Sequence, residues 1–341
     1  MRIALVTDAW EPQINGVVRT LKATKVELEK LGHDVHIFSP DQFHSVPLPT
    51  YSEIKLALTT AEQLGARMAE IAPDAIHIST EGPLGLAARR WCKRNDLPFT
   101  TAYHTQFPDY VAKRTGLSAE LVWPLIRRFH EASSGVLTTT DSIRRELESH
   151  GITHLLPWSR GVDLDQFSPD GPPHPVFDDL PRPIQLYVGR VAVEKNIEAF
   201  LTTDHPGTKV VVGDGPARAA LEKAYPNAVF LGSLFGEELA SAYVGADVFV
   251  FPSKTDTFGL VMIEALASGT PVAAYPVTGP VDVVTDAVAC LDSDLETAIA
   301  GALTRNRETC AAYGARFSWA ESARQFLEAL QPIDGEFDAA A

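Results

Sequence analysis

The chain reads as an α/β protein built from two doubly wound, Rossmann-like parallel sheets. Three observations carry that reading. Its 341 residues exceed what one hydrophobic core normally fills. Two series of alternating apolar strands and amphipathic helices run along it. A proline- and glycine-dense stretch, residues 168–183, stands between the two series and reads as a linker. Two such sheets are expected to face one another across a central cleft, since open α/β sheets bind ligands at the carboxyl ends of their strands.

The first series opens with an apolar strand at 3–7, then a loop holding Pro12 and Asn15-Gly16, then a helix over 17–31 that Gly32 terminates. Strands are expected at 35–38, 75–78, 99–103 and 135–139. The second series restarts at 184–188 and continues with strands at 209–212, 229–231, 247–251 and 272–274. A last helix, 319–331, is expected to cross back and complete the first domain. The expected division is therefore a first domain over 1–167, the linker 168–183, a second domain over 184–318 and a tail over 332–341.

Composition narrows the function. Hydrophobic residues make up 45% and mean hydropathy is −0.02, as in an ordinary globular protein. The 29 basic and 44 acidic residues leave a net charge of −15, which argues against general nucleic-acid binding. Cys92, Cys290 and Cys310 lie far apart without CxxC spacing, so neither a disulfide framework nor a zinc site is expected, and a reducing compartment is. The first eight residues read as a strand reaching an acid, not as a signal peptide. The longest apolar stretch, 259–277, contains Glu264, Gly269, Pro271 and Pro276, and reads as helix–turn–strand instead of a membrane span.

The most informative stretch runs from Ser253 to Glu264. A buried-type strand, Val248-Phe249-Val250-Phe251, enters a turn carrying Asp256, and Glu264 follows eight residues later in a helix that is otherwise apolar. At helical rise, that spacing corresponds to about 12 Å along the axis. Such a separation suits two hydroxyl-bearing rings joined by an anion, with Gly259 and the amides of Thr257, Phe258 and Gly259 supplying the anion site. A solvated loop aspartate and a surface glutamate would explain the spacing alone equally well.

Gly189-Arg190…Lys195-Asn196 occupies the turn after the first strand of the second series. Two cations five residues apart at a strand's carboxyl edge can reach one diphosphate from two sides. Gly213 and Gly215 mark the next turn, either as plain turn residues or as backbone beneath a nucleotide. The turn Gly232-Ser233-Leu234-Phe235 offers main-chain groups to a base edge. In the first series, Asn15-Gly16 is a weak phosphate-turn signal, since many βα turns hold a glycine for conformational reasons. His104 ends a strand and is either a satisfied structural group or a neighbour of a reacting carbon. Basic pairs at Arg89-Arg90, Lys93-Arg94, Lys113-Arg114, Arg127-Arg128 and Arg144-Arg145, interleaved with Trp91, Trp123 and Phe129, are either a solvated face or an interface toward anionic lipid.

These motifs together resemble the family 4 glycosyltransferases, retaining enzymes of GT-B fold, over nearly the whole chain. The paired acids, Glu-x7-Glu in the family, stand here as Asp256-x7-Glu264. Supporting matches are Asn15-Gly16, Gly189-Arg190…Glu194-Lys195-Asn196, Val212-Gly213-Asp214-Gly215-Pro216 and Arg160-Gly161-Val162-Asp163…Phe167-Ser168-Pro169. The segments 8–20 and 104–108 resemble members that use GDP-mannose or UDP-hexoses and often glycosylate lipids.

The resemblance implies roles. Arg190 and Lys195 grip the donor diphosphate with help from Gly16, and Glu264 binds ribose hydroxyls. Asp256 contacts the transferred sugar's 3- and 4-hydroxyls, and His104 lies beside the anomeric carbon. It also implies a nucleotide-sugar co-substrate, no cofactor, and no metal. The expected location is cytoplasmic, peripheral to the inner face of the cell membrane through the first domain, with a lipid, lipid-linked or glycan acceptor and no nucleic acid. Asp256, one methylene shorter than the family's glutamate, leaves the sugar open. A nucleotide-sugar epimerase or hydrolase of the same fold, and a catalytically silent nucleotide-sugar-binding module, are the alternatives.

Overall fold

The computed structural model describes residues 1–13, 15–48, 51–104, 108, 118–254 and 256–333. The chain divides into two compact units. Unit 1 is Met1–Ser159 with the chain from Trp319 on, and unit 2 is Arg160–Ser318. The boundary thus falls before the proline-rich stretch, not within it. Residues 168–183 are no linker: Phe167 and Phe177 are almost fully buried in the core of unit 2, so the prolines shape a packed segment. The tail begins later than expected as well, because Pro332 bridges to Ala75 and the Ile333 amide donates to the Asp74 carbonyl.

In unit 1, β1 (Arg2–Val6), β2 (Asp34–Phe38), β5 (Ala75–Ile78), β6 (Thr100–Ala102), β7 (Gly135–Thr138) and β8 (Leu155–Pro157) form one parallel sheet in the order β2-β1-β5-β6-β7-β8. Helices cover both faces, so β1 carries a continuous apolar run instead of an alternating one; Ile3, Ala4, Leu5 and Val6 are all fully buried. A hairpin of β3 (Ser45–Leu48) and β4 (Tyr51–Ala57) stands outside that rhythm and escaped the sequence reading, as did the short edge strand β8. The helix Trp319–Ala329 belongs to this unit: Phe326 is fully buried, and the Ser322 hydroxyl donates to the Ser159 carbonyl at 2.7 Å.

Unit 2 repeats the plan with β9 (Ile184–Val188), β10 (Thr208–Val212), β11 (Val229–Gly232), β12 (Val248–Phe251), β13 (Val272–Ala274) and β14 (Ala289–Leu291), in the order β11-β10-β9-β12-β13-β14. Burying each Val, Leu or Ile of these strands contributes roughly 1.5–3 kcal/mol. Both orders contain one reversal. It lies between β1 and β5 in unit 1 and between β9 and β12 in unit 2, and at such switch points the two flanking turns diverge and leave room for a ligand.

Candidate active site

At the switch point of unit 2 two turns are tied together. Lys195, after β9, donates from Nζ to Asp256 Oδ2 at 2.9 Å, after β12. Both side chains are mostly buried, at 24% and 19% exposure, so solvent screens this pair less than a surface ion pair. A second tie lies one residue on: the Asn196 Nδ2 donates to the Pro252 carbonyl at 3.0 Å. Asn196 holds a left-handed backbone (φ 54°) between a one-turn 3-10 helix and the helix Ile197–Leu201, a conformation asparagine tolerates well. Asn196 closes the 189–196 turn, and its residue type alone marks no role there.

The remaining turns stack beneath. Gly213 and Gly215 are glycines for a packing reason. A Cβ at Gly213 would stand 1.9 Å from the Gly189 carbonyl oxygen, and one at Gly215 would stand 2.4 Å from that of Val191. The β9 and β10 turns therefore meet backbone to backbone, closed by the Val191 amide donating to the Asp214 carbonyl at 2.9 Å. Arg190 is half-buried, its carbonyl accepting from the Tyr187 hydroxyl at 2.9 Å. Leu234 packs against the core of unit 2.

The acids are spaced differently from the sequence estimate. The helix begins only at Leu260, so helical rise covers the four residues from Leu260 to Glu264, about 6 Å, and Asp256 lies in the loop before it. Nor are all the turn's amides available. Phe258 donates its amide to Asp256 Oδ1 at 3.4 Å, which fixes the carboxylate from its other side. Thr257 and Phe258 are buried, and Gly259 caps the helix at φ 83°. Glu264 is 2% exposed and accepts from the Tyr243 hydroxyl at 3.0 Å, so it is no surface residue. Tyr243, fully buried on a neighbouring helix, was missed: nothing in its own sequence context marks it as a carboxylate partner.

Unit 1 carries the other expected residues. Asn15 accepts at Oδ1 from the Val17 and Val18 amides, both at 3.0 Å, and so caps the helix Gly16–Lys30 that Gly16 opens. Those two amides are already engaged. His104, 9% exposed, sits edge-on to Trp158 with ring centroids 5.3 Å apart. The rest of its motif, 105–107, lies outside the described residues, as do Ile14, Thr255 and the pair Lys113-Arg114. Asp8, at the unit 1 switch point, is buried and accepts from the Leu84 amide (2.8 Å), the Gly85 amide (3.1 Å) and the Thr80 hydroxyl (2.8 Å). Burial nevertheless pushes its carboxyl above the ordinary range, and neighbouring Glu81 adds to the rise.

The described basic pairs are exposed apart from half-buried Arg89, but two of the aromatics among them are not. Trp123 and Phe129 are buried, Trp123 stacking on His150 at 3.8 Å, so those aromatics are core. Arg89, Lys93 and Arg128 instead line a groove of about 410 Å³ with Glu131 and Ala132, and Leu121 and Leu125 stand out at 68% and 58% exposure. Among the described residues, no helix is long and apolar enough to cross a membrane.

Two doubly wound sheets, the second with a cation–acid pair and a buried helix glutamate at its switch point, define the GT-B class of sugar-transferring proteins. Known proteins make this specific. Residues 14–166 match the family described as Glycosyltransferase Family 4, and residues 182–306 match Glycosyl transferases group 1. A GDP-mannose-dependent alpha-mannosyltransferase of Mycobacterium tuberculosis (strain CDC 1551 / Oshkosh) is 31% identical over 84% of this chain and 82% of its own length. An alpha-monoglucosyldiacylglycerol synthase of Streptococcus pneumoniae is 30% identical over 81% of this chain and 71% of its own. Among solved structures, sucrose-phosphate synthase from Thermosynechococcus elongatus shares the fold with a TM-score of 0.76 at 22% identity, covering 96% of this chain and 97% of that one. The chain belongs to the family 4 glycosyltransferases, and it is a hexosyltransferase.

Proposed function

We propose that the protein transfers a hexosyl group, with retention, from a nucleotide sugar to a hydroxyl of a lipid, lipid-linked or glycan acceptor. GDP-mannose is the favoured donor and a UDP-glucose-type donor the second. The observation that carries this reading is the Lys195–Asp256 pair at the switch point of unit 2. When donor binds, Lys195 and Arg190 neutralise the diphosphate, and Asp256, already held by the Phe258 amide, accepts from sugar hydroxyls. Glu264, braced by Tyr243, accepts from the ribose. The anomeric C–O bond to the diphosphate breaks, the acceptor oxygen bonds to that carbon, and the acceptor proton passes to the leaving phosphate. Positioning and charge stabilisation then supply the catalysis, without a metal. The roles of Asn15, Gly16 and His104 rest on the family resemblance.

A thermal-shift panel of GDP, UDP and ADP with their sugars tests this. The matching nucleotide at 100 times its dissociation constant adds about 2.7 kcal/mol of stability. No shift with any of them removes the proposal.

A cytoplasmic, peripheral membrane position accompanies this reading, supported by the Arg89/Lys93/Arg128 groove and exposed Leu121 and Leu125 on a chain of net charge −15. The relative in Streptococcus pneumoniae is named for a diacylglycerol product. Flotation with vesicles is expected to require anionic lipid and to weaken with salt; equal flotation with neutral vesicles rejects the basic face as the cause.

A further inference from the structure

The switch point of unit 1 holds a second constellation that the donor chemistry does not use. Glu81 follows β5 there, and its Oε1 lies 3.3 Å from His130 Nε2. His130 is entirely buried, and its Nδ1 lies 2.9 Å from the Thr101 hydroxyl. Thr101 in turn donates to Ser133 at 3.2 Å, and Ser133 donates to the His130 carbonyl at 2.7 Å. The imidazole is locked from behind, and it locks Glu81 from the front.

Glu81 is costly where it stands. Its side chain is only 18% exposed, and its charge repels the buried Asp8. Its second oxygen has no hydrogen-bond partner among the described residues and is open to solvent. Two residues upstream, the Ser79 hydroxyl is fully buried and also has none. A glutamine would keep the bond to His130 without the charge penalty, so packing alone does not call for a carboxylate. A carboxylate with one oxygen held by an imidazole and the other open to solvent, at a topological switch point, has the chemistry of a hydroxyl acceptor.

We propose that Glu81, positioned by His130, binds a hydroxyl of the sugar acceptor and so helps select a polyol or glycoside acceptor. This rests on the reading of unit 1 as the acceptor-binding half of a hexosyltransferase. The full-length protein and its Glu81→Gln variant are compared with three probes: methyl α-D-mannopyranoside, myo-inositol and glycerol. Binding is read by saturation-transfer NMR, and transfer by product formation from the donor that the thermal-shift panel selects. A charged hydrogen bond lost in the variant raises the probe's Kd and acceptor KM about tenfold or more, with donor KM unchanged. His130→Gln moves acceptor KM the same way while kcat changes little. Should that variant melt early, Thr101→Val removes the same support without touching the pair. Unchanged probe binding in Glu81→Gln, an equal rise in donor KM, or no probe binding to the wild type overturns the inference. Probe binding that depends on Glu81 while no donor transfers upholds Glu81 as a hydroxyl-binding group and overturns its role toward an acceptor together with the transfer reading.

Discussion

The two units repeat one topology, yet their switch points carry opposite chemistry. In unit 2 the turns after β9 and β12 are joined by a cation, Lys195 to Asp256, and Arg190 stands in the first of them. In unit 1 the turns after β1 and β5 gather Asp8 and Glu81, with Glu81 against buried His130. The two proposals assign the one site to an anion and the other to hydroxyls. The lesson is that the doubly wound fold supplies a place, and two or three turn residues supply its sign.

Lys195→Ala breaks the comparison most strongly. It removes the cation from the second switch point and leaves the largely buried Asp256 without it. We expect a loss of about 3 kcal/mol in transition-state stabilisation, roughly a hundredfold in kcat/KM, by analogy with deleting one oxyanion donor. Near-wild-type kcat/KM would show that the pair is structural. The tenfold acceptor effect expected of Glu81→Gln comes next and tests the opposite sign at the first site.

The smallest effect concerns Asp8. Because its carboxyl is raised in the folded state, the native protein holds that proton at pH values where the unfolded chain has released it. Its contribution to stability is therefore complete below the ordinary carboxylate range and is lost as pH rises through the raised value. Denaturation measured from about pH 4 upward should show this decline, and Asp8→Asn should flatten it. An unchanged slope in the variant means that other groups set the pH dependence.

Much of this was legible in the chain. Apolar runs such as Val248-Phe249-Val250-Phe251 announce strands buried on both faces, and the acid after that strand sits in the turn where it was expected. Edge elements were not legible: β8 and β14 are three residues each, and the β3–β4 hairpin carries no continuous apolar run of ordinary strand length. Residues 168–183 misled because proline and glycine mark turns equally well inside a packed segment and between domains. Glu264 stood out as the polar residue of an apolar helix, whereas Tyr243, its partner, is 21 residues away and has no signal of its own.

Sequence by itself settled the alternation of strands and helices, and with it two parallel sheets, because hydrophobic period and turn residues act locally. It also settled which turns carry charge. Only the tertiary structure decided which turns meet: Lys195 with Asp256 across 61 residues, and Glu81 with His130 across 49. Those meetings depend on strand order, and strand order is fixed by packing the whole sheet, not by any segment within it.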